Sequence, residues 1–212
     1  MMKSTVIFAL CTLLTMVAAQ AQNYGTEISN CDELLEQLSV TGQSTTSINC
    51  RFTLEKSVSL MNETQLCNGN FYYKRDGARI CLDYIEPKGN KIIMTQTGFI
   101  IETAGNRAVL DLSQNPGLSQ IRNVVIACTT GDFSEIAERS QTKYFENDEF
   151  YTIVIEPTNK RIRRYMSEIT LQFDKTNNSL ATMRLTESNG DFSQYSFSNK
   201  KFNTAVDDSH FQ

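Results

Sequence analysis

The sequence predicts a mainly β domain, α+β in detail, organised as one large antiparallel sheet, curved or closed. Roughly ten short stretches alternate apolar and polar residues, or run apolar, between turn signals. Only two stretches have helical periodicity, and both are short. A chain of 212 residues that is 40% hydrophobic, with 3 Pro and 10 Gly spread along it, is neither disordered nor collagen-like and is expected to fold as one domain.

The first segment stands apart. Lys3, an apolar run over residues 6–19 and the small-x-small pattern Ala19-Gln20-Ala21 read as a secretory signal cleaved after residue 21, leaving 22–212 as the mature domain. The run is short of the about 20 apolar residues a membrane span needs, and Leu10 before Cys11 does not suit lipid attachment. Cleavage takes one Lys and no acid from the 20 basic and 24 acidic side chains. The exported chain is therefore acidic, which argues against a nucleic-acid partner.

Cys31, Leu34, Leu35 and Leu38 fall at i, i+3, i+4 and i+7 behind Asn30, with Asp32 and Glu33 in the first turn, which predicts an amphipathic helix over 30–38. Residues 41–47 are rich in Ser, Thr and Gly, and after them Ile48, Cys50, Phe52 and Leu54 alternate with polar residues as in a strand. Strands over 66–74 and 79–85 flank Asp76-Gly77, a dipeptide that supplies the positive φ a tight hairpin needs. Further strands are predicted over 91–95, 99–102 and 107–110. Asn115-Pro116 then reads as an N-cap followed by proline in the first turn, and Gly131 closes a second helix. Its stripe of Leu118, Ile121, Val124, Val125 and Cys128 suits either core packing or a mobile lid. From Tyr144 the strand rhythm resumes, with Tyr151-Ile153-Ile155, Ile169-Leu171-Phe173, and stretches over 180–185 and 192–197.

Residue counts narrow the chemistry. His210 is the only histidine and lies near the end, where chains are often poorly ordered, which speaks against Ser-His-Asp or Cys-His catalysis. Cys31, Cys50, Cys67, Cys81 and Cys128 have no close pair spacing, so no metal site and no cofactor is expected. One or two disulfides among them are compatible with an oxidising compartment, while Cys50 and Cys128 fall on apolar faces as buried thiols. A sheet with one apolar face must bury it, and two short helices cover only part. The remainder is either an apolar concavity for an elongated greasy ligand or a filled sandwich core.

The residues also carry a likeness. In order come the first helix, Phe52, Gly69-Asn70-Phe71-Tyr72-Tyr73-Lys74-Arg75, Tyr84-Ile85-Glu86-Pro87, a helical insert, Ile153-Val154-Ile155-Glu156-Pro157, and Ala205-Val206-Asp207-Asp208-Ser209-His210-Phe211. This series resembles the bacterial outer-membrane lipoprotein carrier family, LolA, over residues 28–211. The resemblance implies an unclosed antiparallel β-barrel, a half-barrel of about ten or eleven strands under a lid of short helices. It implies a periplasmic carrier, working as a monomer, that shields the acyl chains of lipoproteins in a hydrophobic cavity and transfers them from the inner to the outer membrane without a covalent step. The implied partners are acylated lipoproteins or other lipids, an inner-membrane ATP-dependent lipoprotein transporter, and an outer-membrane acceptor or the membrane itself.

Carried over position by position, Ile80, Leu82 and Tyr84 match cavity-facing residues and share one face by period two. Phe52, Phe71 and Tyr73 are similar candidates, and Leu118, Ile121 and Val125 face the cavity from the second helix, although ordinary core packing suits each as well. Arg75 matches an arginine that hydrogen-bonds lid carbonyls and locks the lid. Here Asp76 replaces the family's following proline and the turn has one more residue, so a solvated hairpin-turn arginine is the alternative. The basic run Lys160-Arg161-Ile162-Arg163-Arg164 either docks an anionic membrane or the transporter, or is a solvated strand edge or turn. Other functions on the same scaffold are carriage of glycolipids or envelope-stress sensing, the latter calling for a further domain. A secreted carboxylate-dependent hydrolase would instead need a buried acid pair of raised pKa.

Overall fold

Alternation sets the sheet: in β2 (Ser47–Val58) Cys50, Phe52 and Leu54 are buried while Arg51 and Thr53 are exposed, so one face is apolar and the other wet. The computed structural model describes residues 24–59 and 63–212, so the expected leader over 1–21 lies outside the described residues. After β2 come β3 (Glu63–Lys74), β4 (Arg79–Glu86), β5 (Lys91–Met94), β6 (Gly98–Thr103) and β7 (Asn106–Asp111), a meander in which each strand pairs with the next. A second meander runs through β8 (Ser140–Glu146), β9 (Phe150–Pro157), β10 (Glu168–Asp174), β11 (Ser179–Thr186) and β12 (Phe192–Phe202). Antiparallel pairing of β12 with β2 joins the two, and β1 (Thr26–Glu27) extends the edge beside β8.

The result is a single twelve-stranded antiparallel sheet that begins at β1 and ends at β7. These outer strands do not pair, so the barrel is unclosed. One strand more than expected is present because β1 is two residues long, too short to show a period.

The helices sit on the apolar face. Helix α1 (Asp32–Ser44) runs past the predicted end at residue 38 and into the Ser-, Thr- and Gly-rich stretch. The physical reason is Gly42: a Cβ there would collide with the carbonyl of Thr130, and one at Gly131 with that of Leu38, so two glycines let α1 cross the end of α2 (Pro116–Thr130) at backbone contact. Asn30 accepts a bond from the Asp32 N–H at 3.1 Å, whereas the side chain of Asn115 makes no N-cap bond and donates instead to the Asp111 carbonyl at 2.7 Å. Gly131, at φ 74°, ends α2 as expected.

Two short helices escaped the periodicity. Helix α3 (Ser134–Arg139) is six residues long, and α4 (Lys160–Arg163) is four. The basic run is thus neither strand edge nor simple turn: Asn159 caps α4 by accepting the Arg161 N–H at 2.8 Å, and Ile162 is buried.

A small second cluster lies on the outer face, where Phe211 meets Cys81 and Ile93. Lys74 and Arg79 reach Asp208 at 2.6 and 3.1 Å, and the His210 ring stacks on Tyr72 with centroids 3.8 Å apart. The chain end carrying His210 is therefore pinned, contrary to the expectation of poor order.

Candidate functional site

Between the inner face of the sheet and helices α1 and α2 lies an apolar cavity of about 200 Å³. Its floor is a row of residues directly opposed across five strands: Cys50 on β2 faces Phe71 on β3, Phe71 faces Leu82 on β4, Leu82 faces Ile92 on β5, and Ile92 faces Ile101 on β6. All five line the cavity. Register and period two make this row, since opposed residues on antiparallel strands point to the same side. From above, α2 contributes Leu118, Ile121, Val125 and Cys128, while Val124, on the same stripe, turns into the core with no exposed surface. Leu38 and Gly42 close it from α1.

Of the residues expected in the cavity wall, Phe71, Leu82, Leu118, Ile121 and Val125 line it. Phe52, Tyr73, Ile80 and Tyr84 do not, although they share the inner face. Tyr73 and Ile80 belong to the neighbouring row, opposed to each other, and are closed into the core. Phe52 lies over Gly69, where a Cβ would strike its ring, and meets Tyr84 edge-on with centroids 5.1 Å apart. Tyr84 in turn hydrogen-bonds Tyr195, and burial pushes both phenols to higher pKa. Of these aromatics Tyr195 lines the cavity, with Phe52 and Tyr84 packed against it. Ile92, Ile101, Met94 and Phe99 were not singled out, although their strands were predicted and they obey the same alternation as Leu82.

Two arginines tie the helices to the sheet. Arg75 donates from Nε to the Thr45 carbonyl at 2.8 Å and from Nη2 to the same oxygen at 2.6 Å, and Nη2 also reaches the Gly42 carbonyl. These acceptors lie at the C-terminal end of α1, where helix carbonyls lack partners and favour a cation. Despite the longer turn, Arg75 thus reaches the helix instead of extending into solvent. Arg122, on α2, donates from Nε to the Thr95 carbonyl in the β5–β6 turn at 2.7 Å. Nothing in the spacing of the α2 stripe marks Arg122, because its acceptor is a distant backbone carbonyl.

Among the described residues no Asp, Glu or His lines the cavity. Hydrogen bonds from Ser113, Ser134, Thr176 and Ser209 hold Asp111, Asp132, Asp174 and Asp207 below the ordinary carboxylate value, each in its own turn. Burial pushes the Cys50 and Cys81 thiols up to about 12 and Cys128 higher still, so none is an activated nucleophile. All five cysteines of the described chain are free. Among the described residues no group of three or more His, Cys, Asp or Glu is arranged to hold a metal ion.

The sequence matches the family described as Outer membrane lipoprotein carrier protein LolA over residues 43–212. No curated protein matches it. Similar solved structures include an uncharacterised conserved protein from Thermus thermophilus, at 8% identity and TM-score 0.52 over 85% of this chain and 91% of that one. MucB, also solved in the Pseudomonas aeruginosa MucA/MucB complex, is 12% identical with TM-score 0.52 over 89% of this chain, which spans 64% of MucB. A LolA superfamily protein from Nitrosomonas europaea is 11% identical with TM-score 0.47 over 87% of this chain and 98% of its own. At such identities the likeness is one of fold.

Proposed function

Because the chain belongs to the outer membrane lipoprotein carrier family, LolA, we propose that it is a periplasmic carrier whose cavity shields the acyl chains of lipoproteins between the inner and outer membranes. The observation that carries this reading is the five-strand apolar row facing the α2 stripe. Each acyl CH₂ left in water costs about 0.8 kcal/mol, so a chain of about sixteen carbons costs on the order of 12 kcal/mol and does not cross an aqueous compartment unaided.

The size of the cavity adds a mechanism. An apolar cavity of about 150 Å³ takes a benzene-sized molecule, so about 200 Å³ admits only a fraction of an acyl chain. Loading then requires α1 and α2 to move off the sheet, and the bonds of Arg75 and Arg122 resist that movement. The closed lid raises the free energy of the loaded form, which favours release to an acceptor. On this reading the protein makes and breaks no covalent bond; an inner-membrane ATP-dependent transporter loads it, and an outer-membrane acceptor or the membrane receives the cargo.

The test is displacement of a fluorescent acyl probe, with native mass spectrometry of protein purified gently from periplasm. The wild type is expected to bind the probe and to carry an acylated lipoprotein or peptide. Leu82→Glu, which sets a carboxylate in the middle of the floor, should abolish binding, with circular dichroism checking that the sheet is retained and Ile101→Asn, at the half-buried end of the same row, weakening binding as a milder second variant. No probe binding by the wild type overturns the reading.

A further inference from the structure

The cavity has one polar end, produced by a one-residue irregularity in β12. Ser198 opposes Arg51 and Lys201 opposes Asn49, so Asn199 and Lys200 together face Cys50 on β2. Asn199 takes φ 53° to make this bulge. The extra residue reverses the alternation. Before it Tyr195 and Phe197 point inward; after it Lys200 and Phe202 do, and all four line the cavity.

Lys200 therefore brings an ammonium to the edge of a mostly apolar chamber. One of its three N–H groups donates to Ser179 Oγ at 2.8 Å, and Ser179 is itself buried and donates its own O–H to Asn177 Oδ1. Among the described residues Lys200 is in no ion pair. Asp174, the acid that acts on it electrostatically, forms no ion pair with it and accepts the N–H and Oγ–H of Thr176 at Oδ1. Beside it Asn178 also lines the cavity, with a buried Oδ1 that makes no hydrogen bond; turned over, the same amide presents two N–H donors. Cys50 and Lys200 border not only the cavity but also a groove on the outside of the sheet, whose other walls include Arg51, Lys201, Asn49 and Asn70. The wall is one residue thick at this point, and cations stand on both sides of it.

We infer that this end of the cavity binds the oxyanion of an acyl amphiphile, a carboxylate or phosphate oxygen taken by Lys200 with its tail lying along the Phe71–Leu82 floor. A half-buried ammonium whose one hydrogen-bond acceptor is neutral has lost water without gaining an ion-pair partner, and a ligand oxyanion supplies one. The tail supplies the apolar contact that a free anion lacks. This goes beyond carriage of lipoproteins by adding a ligand class, and it rests on the reading of the cavity as an acyl site.

The experiment is titration calorimetry of the mature chain with palmitate, palmitoyl lysophosphatidate, monopalmitoylglycerol and inorganic phosphate. Wild type is expected to bind at least one of the two anionic amphiphiles tenfold or more tightly than the neutral glyceride; which of them it prefers identifies the oxyanion. Lys200→Met should bring the anionic and neutral ligands to equal affinity, and Lys200→Arg should keep the preference. Melting temperatures of both variants check that the fold is retained. Equal affinity for charged and neutral ligands in wild type, or a preference that survives Lys200→Met, overturns the inference and leaves the acyl site standing. Binding of inorganic phosphate as tight as that of the amphiphiles overturns it in favour of a free-anion site. Failure of every amphiphile, the glyceride included, overturns the acyl reading and this inference with it.

Discussion

At the scale of single residues, Arg75 combines two roles that experiment can separate. Its guanidinium caps α1 through Thr45 and Gly42, and because α1 covers the cavity, the same bonds favour the closed form. Hydrogen bonds to a charged group contribute about 1.5–3 kcal/mol when buried, less at a partly exposed site such as this one. Losing about 1.4 kcal/mol of closed-state stability shifts an equilibrium about tenfold. Arg75→Leu is therefore expected to raise affinity for an acyl probe by about tenfold and to slow release to acceptor vesicles, read by stopped-flow fluorescence. A lower melting temperature with unchanged affinity and release would mean that Arg75 is only a helix cap.

At the scale of elements, α2 is the part of the cover most open to manipulation. It is held by the apolar stripe, by the glycine crossing with α1, and by side-chain hydrogen bonds that include Arg122 to the Thr95 carbonyl and Gln120 to Ser140 Oγ on β8. Burial opposes the charge of Arg122, so the bond offsets a desolvation cost and its loss leaves the β5–β6 turn without that anchor. Arg122→Met keeps the apolar length and removes the bond. It is expected to lower the opening free energy of α2 by about 1–2 kcal/mol, seen as roughly 5- to 30-fold faster amide hydrogen exchange in the helix, with the sheet unchanged. Equal acceleration in β2, β3 and α2 would mean global destabilisation and count against a local latch.

At the scale of the whole molecule, an open sheet of twelve strands is held at its turns by a repeated local device. Asp111, Asp132, Asp174 and Asp207 each accept from a Ser or Thr two positions on, and Asp208 accepts from Lys74 to pin the chain end. All five have folded pKa values below the ordinary 3.8. A lowered folded pKa means stability that is fully present above the unfolded value and is lost as pH falls through the folded ones. The urea midpoint is therefore expected to be flat from neutrality to about pH 5 and to fall below about pH 4. Asp174→Asn should make that fall shallower, and a midpoint that stays constant down to pH 3 would contradict the assignment.

The sequence by itself determined which face of each strand is apolar, because alternation is a local property: Cys50, Phe52, Leu82 and Tyr84 all point inward as their spacing requires. It also determined where α2 begins and ends, since Pro116 and Gly131 act within their own turns. Only the tertiary structure decided which row of that face borders the cavity. Leu82 lines it and Ile80 does not, although both obey the same period, because depth depends on what α1 and α2 cover and those helices are distant in the chain. The same holds for Arg75 and Arg122, whose acceptors are backbone carbonyls with no side-chain signature, and for α1, which continues to Ser44 because Gly42 finds Thr130. Lys200 shows the limit most sharply. Counting by twos from Tyr195 places it outside, and a single bulged residue opposite Cys50 brings it in, because alternation holds only while the register is unbroken.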